Sequence, residues 1–566
     1  MQVKLAYLGH SRLQQSRGAQ VLSLAPNLSR EPVAFDAPLV RPLRFREAIS
    51  ALHDVVISDL RYKPRDKTAY QQWKLEENRR LVHAHSEAYR EARDELLARR
   101  ADVPRDLEEQ YNRCRHKYWS ARQQYADYLR RHDMLLWRLL MPCDPITTVA
   151  DDVVFFECFS ADESSYGCLT VEREAMFGAS SDYRRGTTNV DYSWALYDHF
   201  QQLRTYRETR FRVDPQGFEV AVAGQADYRE EKIDLPDGWL RGLMQVQAAM
   251  TLPMRRVTLS REAVYSLLAW LRRHKARRSP RAVRFELAPG AAPRLVVEPW
   301  EQAIAAEGVR YEGPGGEPIR IWGRQRLLVL ARLLPLVERV DVYLLGNGLP
   351  SFWVAQMGDM RLTLGLSGWT ANDWTRGAAL DLLSPPVELS PGLVAGVASA
   401  LQSGRKAPLA DARLAAVASP AECAAALNYL ARTGQVIFDL AAGVYRWRQI
   451  MPTALGEDDL GPEPPELAGS REVIRRGEVR LDSRVEQVGG GVLLEGKYGT
   501  QPLRLALDSD GRMRSAKCSC SHFRRGGLRK GPCRHLLALR DLGSGAGGEQ
   551  PSLDDWFRRW QRWAAN

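Results

Sequence analysis

Three cysteines and a histidine place the strongest constraint on how this chain folds. Cys518, Cys520, Cys533 and His535 read Cys-x-Cys, a twelve-residue loop, then Cys-x-His. Three thiolates and one imidazole form a complete tetrahedral donor set for a structural Zn²⁺. The spacing also dictates local geometry. Side chains alternate along a strand, so Cys-x-Cys puts two sulfurs on one face of an extended segment. Cys533-Arg534-His535 runs into Leu536-Leu537-Ala538-Leu539, which reads as the first turns of a helix. Upstream, Leu503, Leu505 and Leu507 alternate as in a half-buried strand. Asp508-Ser509-Asp510-Gly511 is a turn signal, and Ser515 to Cys520 reads as the return strand. The expected unit is a hairpin, a loop and a helix closed by one metal ion. A disulfide between Cys518 and Cys520 is geometrically poor. A catalytic zinc would keep an open position, which four protein ligands fill. His522 in the loop is the alternative imidazole donor.

This pattern resembles the SWIM zinc finger, over roughly Arg480 to Asp541. The resemblance implies binding of DNA or protein. It also implies a bacterial setting in which some members are encoded beside MoxR-type AAA+ ATPases. The run Ala25 to Asp36 is similar to the N-terminal region of large bacterial SWIM proteins, a likeness that implies no chemistry.

The rest of the chain reads as a multidomain α+β protein. Residues 1–65 form an N-terminal α/β segment, with strands at Val3–Tyr7 and Val21–Leu24 and a helical stretch from Phe45 to Leu60. Residues 66–141 read as a long antiparallel helical hairpin, a coiled coil. Leu75, Val82, Tyr89 and Leu96 recur every seven residues on the first arm. Tyr111, Tyr118 and Tyr125 mark one row of the second arm, and Cys114, Ala121, Tyr128 and Leu135 the partner row. Arg113, Lys117 and Arg122 form its solvated face.

Residues 142–389 form an α+β body with strands at Val153–Phe156 and Cys168–Val171. Gly186 to Asp191 reads as a polar loop, open to a ligand role or a capping role. Two stretches, from Ser260 and from Arg324, share a helix-then-strands order that loosely resembles sliding-clamp repeats. Residues 390–451 read as a winged helix. Its third helix is Pro420–Arg432, with Ser419 and Glu422 as a capping box and a wing around Gly443. Arg446 and Arg448 on the wing are candidates for phosphate contact. Residues 452–470 read as an acidic Pro/Gly linker, 471–545 as the zinc unit and 546–566 as an amphipathic aromatic helix.

The formal charge of +11 favours an anionic partner, nucleic acid first. Eight cysteines in a chain of 566 residues with no signal-peptide pattern fit a reducing cytoplasm. Cys114, Cys143, Cys158, Cys168 and Cys423 read as buried small hydrophobes. No apolar run is long enough to span a bilayer. No phosphate-binding loop, nucleophile elbow or His-Glu-x-x-His pattern occurs, and no small-molecule substrate is implied.

The expected function is therefore non-enzymatic. A zinc-fixed basic loop would bind nucleic acid, DNA first, with little sequence preference. Its expected contacts are Lys517, Phe523, Arg524, Arg525, Arg529, Lys530 and Arg534. The second reading is a protein adaptor for an AAA+ or helicase-type ATPase, with a role in bacterial conflict or phage defence.

Overall fold

The computed structural model describes residues 12–16, 19–24, 34–58, 146–160, 163–178, 183–189, 208–213, 237–276, 280–346, 350–367, 389–450, 465–487, 491–507, 513–530 and 532–543, with isolated positions between them. The chain forms two compact units, residues 59–142 and the remainder.

In the first unit the described helical positions Gln110, Arg113, Cys114, Lys117, Ser120 and Gln124 are all exposed, while Tyr128 is buried. This polar stripe recurs at three- and four-residue steps, which is one side of a helix. Cys114 lies on that stripe, so the expected packing position for this thiol is corrected to a solvent-facing one. The leucine and tyrosine rows lie otherwise outside the described residues.

The larger unit is built on an eight-stranded antiparallel sheet. Its strand order is 255–260, 339–344, 351–356, 360–366, 165–172, 153–159, 146–149 and 186–189. Every residue of Val153–Phe159 is buried. Alternation sorts these side chains to two faces. Val154, Phe156 and Cys158 enter one core, and Val153, Phe155 and Phe159 enter the other. On the first face lies the helix Pro42–Val56, which buries Phe45, Ala48, Ile49, Leu52 and Val55. Burying each large side chain contributes about 1.5–3 kcal/mol. The helix comes so close that a Cβ at Gly167 would stand 2.9 Å from Leu52 Cδ1.

Two smaller sheets flank this core. One has the order 12–16, 19–24, 208–213, 34–38 and 183–184, with 19–24 and 208–213 parallel. The other runs 302–305, 294–297, 283–286 and 319–321.

Two expectations change here. Gly186–Asn189 is the edge strand of the main sheet, paired with Ile146–Val149, and not a loop. Its β-branched Thr187 and Thr188 suit a pleated surface, and Thr187 and Thr148 hydroxyls meet at 3.1 Å. Arg324–Leu333 is a 3-10 helix. Arg324, Leu327, Leu330 and Leu333 are its buried row, and a period of three lines up along a 3-10 helix but not along an α-helix.

The second face of the sheet carries the helix Asp237–Met250 and, against it, a module of three helices and three short strands. The helices are Pro391–Gly404, Leu409–Ala416 and Pro420–Arg432. The strands order as 406–407, 444–447 and 436–439. The capping box of Ser419 and Glu422 is formed with both bonds present. Pro420–Arg432 is buried on nearly all sides. Its Asn428 donates to Ala248 O at 3.1 Å and Thr251 Oγ1 at 2.8 Å.

Arg446 and Arg448 do not face solvent. Arg446 bonds Asp152 at 2.7 Å and Asp439 at 3.1 Å. Arg448 pairs with Glu157, both side chains fully buried, and Tyr166 donates to the same carboxylate at 2.6 Å. The expectation of phosphate contact by these two arginines is corrected. Their cationic heads are consumed in fastening the module to the sheet.

Asp152 is held down to about pKa 2. Burial pushes it up, but hydrogen bonds from Arg446 and Lys406 outweigh that. An aspartate ionises near 3.9 when free, so its ionised form is favoured by folding. The stabilisation is complete above about pH 4 and fades as pH falls toward about 2. Asp152→Asn should flatten the fall of thermal midpoint across that interval. An unchanged slope would contradict the assignment.

Cys158, Cys168 and Cys423 are buried as expected. Among the described residues no single helix is long and apolar enough to cross a membrane.

Candidate metal centre

The metal unit runs from Pro465 to Gly543 and has its own core. It opens with the helix Pro465–Arg475. The expected linker reached to residue 470, so Pro465–Ser470 is instead the first turn and a half of this helix. Pro suits the first helical position, where its missing N–H costs nothing. Four antiparallel strands follow: Val479–Glu486, Val492–Tyr498, Gln501–Leu507 and Met513–Lys517. The last two are the expected hairpin, whose turn at 508–512 lies outside the described residues. The first two double the sheet.

Residues 521–530, after Cys520, are helical rather than an open loop. They form the α-helix Ser521–Gly526 and a 3-10 turn, Gly527–Lys530. Arg534–Gly543 is the closing helix. It packs Leu536, Ala538 and Leu539 onto Leu494, Leu503 and Leu505 of the sheet.

The ligand atoms of Cys518, Cys520, Cys533 and His535 all lie within 4.8 Å of one another. Cys518 Sγ stands 3.7 Å from His535 Nδ1. Zn–S near 2.3 Å and Zn–N near 2.0 Å give a tetrahedral edge of roughly 3.6 Å, so this separation fits two ligands of one ion. The centre is compatible with one structural zinc, held by three sulfurs and the Nδ1 of His535. Cys533 is fully buried, Cys518 and His535 nearly so.

Outer contacts reach three of the four ligands. The His535 ring stacks on Tyr498 with centroids 3.9 Å apart. The Cys520 N–H points to Cys518 Sγ at 3.5 Å, and the Phe523 N–H to Cys520 Sγ at 3.4 Å. N–H donors of this kind favour the thiolate form that a metal requires. His522 is not part of the four-atom cluster.

The expected nucleic-acid contacts separate into groups. Lys517 and Arg524 are exposed. The side chains of Arg525, Arg529 and Lys530 lie outside the described residues, although their backbone is helical. Phe523 is partly buried against the finger core. Arg534 is engaged by Glu466, at 3.2 Å between Nη2 and Oε1.

Charges elsewhere on the sheet are paired: Arg480 and Lys497 with Asp482, Arg484 with Glu486, and Arg504 with Glu495. The chain between Gly511 and Arg540 contains no acidic residue at all. It carries Arg512, Arg514, Lys517, Arg524, Arg525, Arg529, Lys530 and Arg534. Sequence reading took the basic loop with its flanking Lys517 and Arg534 and missed that this run extends back through Arg512 and Arg514.

Comparison with known proteins bears on this unit alone. The SWIM zinc finger family matches residues 504–539. No curated protein matches the chain. Among solved structures, the proliferating cellular nuclear antigen of Entamoeba histolytica aligns with 40% of this chain and 89% of its own, at 11% identity and a TM-score of 0.26. The PCNA2-PCNA3 complex of Sulfolobus tokodaii aligns over the same shares, at 9% identity and a TM-score of 0.27. Similarity at that level supports no argument about fold or function.

Proposed function

From a chain that carries a SWIM zinc finger, we propose a non-enzymatic, zinc-dependent protein that binds nucleic acid, DNA first, with little sequence preference. The observation that carries this reading is the acid-free basic run from Arg512 to Arg534, threaded through a metal-fixed frame. A four-ligand zinc leaves no position for substrate, which suits a structural role. Contact with phosphates would supply salt-sensitive affinity without base readout. The cytoplasm is the compartment this reading requires, since the thiols must stay reduced.

Fluorescence anisotropy with random-sequence DNA tests it. Four engaged charges give a slope of log affinity against log salt of roughly −3 to −4. Arg524, Arg525, Arg529 and Lys530 changed together to Ala should make that slope much shallower while zinc stays bound. Affinity that ignores both salt and these substitutions would contradict the proposal.

One observation favours the second reading, a protein adaptor. The module at residues 389–450 has a winged-helix-like order, but Pro420–Arg432, its third helix, is turned onto the body. Leu414, Val417 and Tyr429 remain exposed on it, and such apolar surface suits a protein partner better than phosphate. An ATPase of the AAA+ or helicase type is the partner that the family resemblance implies. Its co-purification with the intact chain, lost on Leu414→Asp with Val417→Asp, would support this reading over the first.

A further inference from the structure

The metal centre has a carboxylate partner that lies outside its ligand motif. We propose that Glu466 is a positioning residue for the zinc, capping the helix that carries His535 and so holding the imidazole at its vertex. The inference is independent of what the finger binds.

Glu466 Oε2 accepts from the Arg534 backbone N–H at 2.6 Å, and Oε1 accepts from Arg534 Nη2 at 3.2 Å. Arg534 stands between the ligands Cys533 and His535. The first N–H groups of any helix lack intrahelical partners. A side-chain oxygen at the preceding residue usually satisfies one of them. Here the preceding residue is Cys533, whose sulfur belongs to the metal cluster. The acceptor therefore comes from another element, and a negative charge there also suits the helix dipole.

The surroundings are shaped for this contact. Gly469, one turn along from Glu466, lies against the guanidinium, and a Cβ there would stand 2.8 Å from Arg534 Cζ. Buried Ser470 and Val473 seat the same helix on the finger. Three thiolates and Zn²⁺ leave a net charge of about −1 on the centre. Arg534 sits beside that charge and beside Glu466, so the carboxylate is balanced rather than repelled. Partners of this outer kind typically set metal affinity by about 10–100-fold.

The test uses the full chain loaded with zinc and a chromophoric chelator in competition. Glu466→Ala should weaken zinc retention by about 10–100-fold. Glu466→Gln keeps an oxygen for the Arg534 N–H and should retain zinc clearly better than alanine does. Glu472 sits on the same helix but pairs with Arg475 and Arg476, so Glu472→Ala should leave retention unchanged. The cobalt-substituted Glu466→Ala protein should show shifted d–d bands, because the imidazole is no longer held. Unchanged retention in Glu466→Ala, an equal loss in Glu472→Ala, or equal failure of the alanine and glutamine variants would each overturn the assignment.

Discussion

Cys533→Ser will release the zinc and unfold residues 465–543 while the sheet body keeps its fold. Cys533 is fully buried at the centre of a core that otherwise rests on Val473, Leu494, Leu503, Leu505, Leu536 and Leu539. A unit of this size rarely stands on such a core without a metal or disulfide staple. In isolated zinc-finger peptides the metal supplies about 10–16 kcal/mol, which is folding free energy because the unfolded chain has no site. The body has a separate core and lacks that dependence. The two are distinguishable by fluorescence, since no tryptophan lies between 465 and 543, whereas Trp353 and Trp374 are buried in the body. Tryptophan emission should stay native while amide protection of the finger strands disappears. A strong chelator should reproduce the result. Loss of the body's emission together with the finger would contradict this division.

Arg448→Met will destabilise the body by about 3–5 kcal/mol, the usual cost of leaving one member of a buried ion pair uncompensated. Arg448 reaches from the helical module into the sheet and meets Glu157, neither side chain touching water. Removing the guanidinium strands a carboxylate that, among the described residues, keeps the Tyr166 hydroxyl. Such a loss is a large share of the stability of a typical domain, about 5–15 kcal/mol. Adding Glu157→Gln should recover most of it, because the amide is neutral and can still accept from Tyr166. Urea denaturation followed through tryptophan emission measures both variants. A double variant no better than the single one would show that shape, not charge, explains the loss.

Legibility in the sequence followed the range of the interactions involved. The Cys-x-Cys and Cys-x-His pairs, the closing helix and the Ser419–Glu422 box each depend on residues within a few positions of one another, and each formed as the spacing implies. The sheet order did not follow from sequence, because pairs such as Met360 with Val171 join strands nearly two hundred residues apart. Both faces of Val153–Phe159 are covered, so its alternation of cores is invisible in a run that is apolar almost throughout. The helix Pro465–Arg475 was hidden by its own start signal, since Pro462, Pro464 and Pro465 together look like a linker. Glu466 in the first turn and Gly477, at φ +64 just past the end, were the cues that mark it. The strands 479–486 and 492–498 carry a bulge after Leu481 that interrupts the alternation. Arg446 and Arg448 read as surface cations because their acidic partners, Asp152 and Glu157, lie some three hundred residues earlier.

X-ray absorption at the zinc edge of the purified chain tests the whole account most directly. The expected result is one zinc per chain with about three sulfurs near 2.3 Å and one nitrogen near 2.0 Å. Absence of stoichiometric zinc, or a shell rich in oxygen, would contradict a metal centre built from Cys518, Cys520, Cys533 and His535.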